Sequence, residues 1–80
     1  MAHAEYRFQI LLGAKEIRNL PGLLRSFRNG KIAMEGVPPI RDLGIREAFD
    51  SISVWSGNRE ALVSLKDWFE QRGFETTGVW

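Results

Sequence analysis

The alternation of apolar and polar positions near the start of the chain predicts a strand. Apolar side chains recur at every second position: Tyr6, Phe8, Ile10 and Leu12 alternate with Glu5, Arg7, Gln9 and Leu11. A period of two is typical of a strand with one buried face and one free face. The segment 51–55 repeats this pattern, with Ile52 and Val54 between Ser51, Ser53 and Trp55. We therefore expect two strands, each with an apolar side and a polar side.

Apolar residues at helical spacing predict two helices. The first follows Asn19 as N-cap, has Pro21 in its first turn and ends before Gly30. The second follows Asn58 and ends before Gly73. Asparagine is a favoured N-cap, and a glycine after the last turn allows the positive φ that often ends a helix. The second helix carries the longer apolar stripe, formed by Ala61, Leu62, Leu65, Trp68 and Phe69.

Two further strands are predicted at 31–35 and at 74–80, the latter interrupted by Gly78. The segment 38–50 between the two halves leaves two alternatives open. Asp42 could cap a short helix, or the segment could be a loop that places Ile45 and Phe49 under the core.

Strand, helix and strand occur in this order twice, in a half at 5–36 and a half at 51–80, joined by a connecting segment at 37–50. Eighty residues suffice for a single domain, here 1–80. The expected fold class is α+β, a ferredoxin-like βαββαβ sandwich with a four-stranded, mainly antiparallel sheet and two helices on one face. The other face of the sheet would be bare.

The composition argues against catalysis. The chain has no cysteine and one histidine, His3, and its carboxylates show no paired arrangement. It contains no glycine-rich phosphate-binding motif. We therefore expect no enzyme activity, no cofactor and no metal. Because a secreted domain this small usually needs disulfides, a cytoplasmic, bacterial location is expected, with no membrane span.

Charge is unevenly distributed along the chain. Residues 1–41 carry seven basic and three acidic side chains, whereas residues 42–80 carry four basic and seven acidic ones. Two interpretations stay open: two solvated faces of opposite sign, or a dipolar surface that attracts an acidic partner or a second copy of the chain.

The bare sheet face supplies the candidate interface. Its predicted members are Arg7, Gln9, Ser53, Trp55 and Trp80. Tryptophan and arginine are the commonest residues at the energetic centres of protein interfaces. The alternative is that Trp55 packs against the segment 38–50 or the chain end, which would then cover the sheet.

The run Asn19-Leu20-Pro21-Gly22, followed by Gly30, resembles the opening of an ACT domain. That family consists of ferredoxin-like regulatory modules that dimerise and bind amino acids near the first helix. The resemblance implies Leu20, Pro21 and Gly22 as ligand contacts, and a small-molecule effector as a possible partner.

The motifs along the chain are also similar to the small effector-associated adaptor domains of bacterial conflict systems. They comprise a leucine-rich first helix, a central Leu43-Gly44-Ile45 and a second helix with Trp68 that ends in Arg72. This resemblance implies association of like with like.

The preferred hypothesis is a small non-catalytic protein-interaction or adaptor module that self-associates, as a homodimer for example, through the open sheet face. An ACT-like amino-acid sensor is the alternative, and an RNA-binding module is a further one. Nucleic acid is the less favoured partner, because segment 51–55 has a single aromatic residue and the net charge is only +1.

Overall fold

A computed structural model describes residues 5–12 and 19–80 of the chain. The elements in chain order are β1 (Tyr6–Leu11), α1 (Leu20–Arg28), β2 (Gly44–Glu47), β3 (Ser51–Ser56), α2 (Arg59–Gln71) and β4 (Glu75–Thr76). The strands form one antiparallel sheet in the order β2-β3-β1-β4. This confirms the expected α+β class, with a four-stranded antiparallel sheet and two helices.

The helix ends follow the expected local chemistry, with one exception. Asn58 caps α2, because its Oδ1 accepts a hydrogen bond from the backbone N–H of Ala61 at 3.1 Å. Gly30 and Gly73 end the two helices at φ angles of 78° and 86°, a conformation that glycine adopts without a steric penalty. Asn19 occupies the N-cap position of α1, but its side chain makes no capping hydrogen bond.

The prediction of a strand at 31–35 is wrong. Those residues form no strand, and the second strand, β2, lies in the segment expected to be a helix or a loop. Within 31–35 only Met34 is buried, and Ile32 remains 38 % exposed. Pairing with β3 defines β2 instead, since Ile45 lies opposite Val54 and Glu47 opposite Ile52. The placement of Phe49 under the core is also wrong, because that side chain is fully exposed.

One apolar core holds the sheet and both helices together. The inner sides of β1 and β3 supply Phe8, Ile10, Ile52 and Val54, as the alternation predicted. The side chains from the helices belong to the same buried cluster, so α1 and α2 cover the same face of the sheet; they are Leu20, Leu24 and Phe27 from α1 and Ala61, Leu62, Leu65 and Phe69 from α2. The connection 29–43 closes the core with Met34, Ile40 and Leu43.

The chain continues along β1 after β4, with its register shifted by one residue. Ile10 pairs with Thr76, whereas Arg7 exchanges two backbone hydrogen bonds with Trp80, at 2.8 and 2.9 Å. On β1, two residues lie between Arg7 and Ile10, whereas three residues lie between their partners, Trp80 and Thr76. The segment 77–79 therefore contains the extra residue of a β-bulge. Because side chains alternate along a strand, this shift places Trp80 on the face away from the helices.

Candidate interaction surface

Four residues, one from each neighbouring segment of the sheet, form a row across its open face. Trp55 pairs with Gly44 on one side and with Arg7 on the other, and Arg7 pairs with Trp80. Directly paired residues of antiparallel strands point to the same face. We call Gly44, Trp55, Arg7 and Trp80 the aromatic row. The neighbouring Phe8 and Val54 point into the core under the helices, so the aromatic row points away from it.

Trp55 is positioned by its neighbours on both sides. A Cβ atom at Gly44 would overlap the Trp55 indole, so the ring lies directly against the backbone of β2. On the other side, the Arg7 guanidinium carbon lies 5.8 Å from the centre of the indole, within the range of a cation–π interaction. Trp55 thus does contact the segment 38–50, but it does so through a strand neighbour without a side chain, and the ring is only half-buried.

Two further rows extend the open face. The second contains Arg46, Ser53, Gln9 and Thr77, in which the Gln9 amide lies 3.5 Å from the Ser53 hydroxyl. The third contains Ala48, Ser51, Leu11 and Glu75. We call these three rows together the outer face. No helix of the described chain packs on it.

The outer face carries its unpaired charges at opposite edges. Arg7 forms an ion pair with Glu5 at 2.7 Å. Arg46 on β2 and Glu75 on β4 are exposed, and neither has an ion-pair partner among residues 5–12 and 19–80. The edges of the outer face are therefore positive at β2 and negative at β4.

The residues proposed from the sequence divide between two sides of the molecule. The structure brings Arg7, Gln9, Ser53, Trp55 and Trp80 together on the outer face. The three ACT-like ligand positions lie at the start of α1, on the helix-bearing side, where Leu20 and Pro21 are buried and only Gly22 is exposed. His3 and Gly13 lie outside the described residues.

Sequence reasoning missed Gly44, Arg46 and Glu75 as members of the surface. The first two belong to β2, a strand that the sequence pattern did not reveal. The signal that could have found them is the Gly44–Trp55 pair, since a tryptophan on a sheet often packs against a glycine of the next strand.

Asp42 joins the connection 29–43 to the turn before α2. Its carboxylate accepts hydrogen bonds from the Ser56 hydroxyl at 2.8 Å and from the Gly57 backbone N–H at 2.9 Å. The same Ser56 hydroxyl accepts from the Asn58 backbone N–H at 3.0 Å. These hydrogen bonds hold the pKa of Asp42 below its usual range. The Gly57 N–H has the largest effect, and the Ser56 hydroxyl has the second largest. The suggestion that Asp42 caps a helix is wrong, because no helix follows it.

We expect Asp42→Asn to lower the free energy of unfolding at pH 7 by about 1 kcal/mol, a modest value because this carboxylate is exposed. A carboxyl group with a depressed folded pKa stabilises the fold above its unfolded pKa of about 3.9, and this stabilisation is lost as the pH falls through the folded pKa. The difference between wild type and Asp42→Asn should therefore shrink between neutral pH and about pH 3.

Urea denaturation at both pH values measures this difference. Asp67→Asn is the matched control, because Asp67 is exposed and makes no hydrogen bond or ion pair within the described chain. Equal losses for the two variants would contradict a specific role for Asp42.

A separate pocket of about 440 Å³ lies between α2 and the turn at 35–36. Arg72 stacks on Trp68 there, with its guanidinium carbon 3.6 Å from the ring centre, and donates a hydrogen bond to the Trp68 carbonyl at 3.1 Å. Glu35 and Asp67 also line the pocket. It contains none of Leu20, Pro21 and Gly22, so it is distinct from the ACT-like site as well as from the outer face.

The described residues hold no group of three or more His, Cys, Asp or Glu side chains arranged to bind a metal ion. None of their helices combines the length and the apolar character needed to cross a membrane.

The fold and the surface together define a class: a small α+β domain with two helices on one side of its sheet and an aromatic row on the other. Neither family models, nor curated protein sequences, nor solved structures give a significant match to this chain. Its function must therefore be inferred from its own residues.

Proposed function

We propose that this domain is a small non-catalytic interaction or adaptor module that associates with a second copy of itself through the outer face. The observation that carries the proposal is the aromatic row, in which Arg7 lies between Trp55 and Trp80 on a sheet face that neither helix of the described residues covers. Exposed tryptophan and arginine in such a position are typical of the residues that dominate binding energy.

The contacts that hold the aromatic row in place favour binding without rearrangement. Trp55 is held against Gly44, and Trp80 is hydrogen-bonded to Arg7 through two backbone bonds. Side chains held on paired strands lose little conformational freedom when a partner covers them. Leu11, 38 % exposed, adds apolar surface in the third row.

We further propose that the fold is ferredoxin-like. The element order βαββαβ and the central position of β1 and β3 support this assignment. A sheet covered by helices on one face only leaves its second face available to a partner.

The charge of the outer face favours protein over RNA as the partner. Arginine and tryptophan can also stack on nucleobases, but the charges at this face are balanced, with Arg7 and Arg46 against Glu5 and Glu75. A nucleic-acid surface usually concentrates positive charge to neutralise phosphates. Salt-sensitive retention on a homopolymer RNA column would reverse this preference.

The domain should lose its self-association when Trp55 is replaced by alanine. The association of wild type should appear as a mass that rises with concentration in light scattering, and Trp55→Ala should hold the mass at that of one chain. The circular dichroism spectrum should be preserved, because Trp55 does not belong to the buried core cluster.

Ile32→Ala is the matched control, since Ile32 is a 38 % exposed apolar residue away from the sheet. It should leave the association unchanged. A wild-type chain that stays monomeric at every concentration, or a Trp55→Ala variant that associates as wild type does, would refute the proposal. A thermal shift with any of the twenty amino acids, lost on substitution of Gly22, would favour the ACT-like sensor instead.

A further inference from the structure

We infer that the two copies face each other across a twofold axis parallel to the strands, so that β2 of one copy lies over β4 of the other. This inference rests on the proposed self-association through the outer face. Two sheets packed face to face by a twofold axis allow two simple arrangements, with the axis along the strands or across them. The outer face distinguishes between the two.

An axis along the strands makes the aromatic row complementary to itself. It reverses the order of the strands, so that β3 lies over β1 of the partner subunit. Trp55 then faces the partner's Arg7, and Arg7 faces the partner's Trp55, which gives two equivalent cation–π contacts. Trp80 at one end of the row lies over the partner's Gly44 at the other end, where it meets the indole of the partner's Trp55 that covers this glycine.

The same axis brings opposite charges together at both edges. Arg46 on β2 lies over the partner's β4, one row away from the partner's Glu75, a step of about 7 Å along the strand that the long arginine side chain can span. Symmetry repeats this pair at the other edge. An axis across the strands would instead place β2 over β2 and β4 over β4 and reverse the order of the rows. Arg46 would then face the partner's Arg46 and Glu75 would face the partner's Trp80, so that opposite charges meet at neither edge. Charge complementarity therefore selects the axis along the strands.

The area of the outer face makes these charges important. With strands about 4.8 Å apart and a rise of about 3.3 Å per residue, the face covers roughly 400 Å² per copy. That is about half of the area of a standard protein interface. We expect a dissociation constant in the micromolar range or weaker, which two edge ion pairs can alter measurably.

Charge reversal at the two edges tests the arrangement. The variants are Arg46→Glu, Glu75→Arg and the double variant, measured by sedimentation equilibrium over a series of concentrations. Each single change converts both edge pairs into repulsions and should raise the dissociation constant about tenfold. The double variant restores opposite charges at both edges and should return to within about threefold of wild type.

Recovery of association in the double variant cannot result from an interaction between positions 46 and 75 of the same chain. Arg46 and Glu75 are separated by β3 and β1, about 14 Å at ordinary strand spacing, which exceeds the screening length at physiological salt. Both side chains are exposed, so circular dichroism should show that all three variants fold as wild type does.

The outcomes separate this inference from the proposed function. Loss in both single variants with recovery in the double variant supports the axis along the strands. Unchanged association in the single variants, together with its loss in Trp55→Ala, overturns the arrangement and leaves the function standing. A wild-type chain that never associates overturns both.

Discussion

Phe69→Ala should lower the free energy of unfolding of this domain by about 3–5 kcal/mol. The Phe69 ring is fully buried and makes edge-to-face contacts with Trp68 and Phe74, with ring centres 5.0 and 5.4 Å apart. Removing a buried phenylalanine costs about 3–5 kcal/mol, because the lost apolar burial adds to the cost of the cavity left behind. A domain of this size has a total stability of roughly 4–12 kcal/mol, so one such loss removes much of it.

Phe49→Ala provides the matched control, since Phe49 is the same residue type on the turn between β2 and β3 and is fully exposed. Its loss should change the free energy of unfolding by less than about 0.5 kcal/mol. Urea denaturation followed by circular dichroism compares the two variants. Similar midpoints for both would mean that Phe69 does not belong to the core described above.

Gly44→Ala should destabilise the domain and abolish its self-association at the same time. The added Cβ would occupy the space of the Trp55 indole, so the ring must leave its place on β2. Forced repacking of this kind costs about 1–3 kcal/mol. The φ angle of Gly44 is not positive, so the cost arises from the indole and not from backbone strain. With Trp55 displaced, the aromatic row loses its centre.

Gly22→Ala is the corresponding control for Gly44→Ala. A Cβ at Gly22 meets no heavy atom within 4 Å, and the residue lies in the first turn of α1. Replacing a helical glycine with alanine should therefore stabilise the domain by up to about 1 kcal/mol and leave the association unchanged. Denaturation and light scattering on the two variants decide the matter. If Gly44→Ala were also neutral in both measurements, the contact between Trp55 and β2 would be disproved.

The strength of the local signal decided which elements could be predicted. Asn58 and Gly73 bound a helix whose apolar stripe repeats over 13 residues, so neighbours in the chain suffice to define α2. The second strand lacked such a signal. Gly44 has low strand propensity and Glu47 is polar, and together they form a strand only because β3 offers backbone partners. The segment 31–35 has the more strand-like pattern, but it pairs with none of the four strands of the described sheet.

The sequence by itself determined the α+β class, the two helices and the inner sides of β1 and β3, because these depend on periodicity within a segment. It also placed Trp55 and Arg7 on the opposite side of their strands. Only the tertiary structure decided that Gly44 lies under the Trp55 indole, that a bulge turns Trp80 onto the same face, and that Arg46 and Glu75 mark opposite edges. These features depend on register between segments far apart in the chain, and a shift of one residue would exchange the two faces.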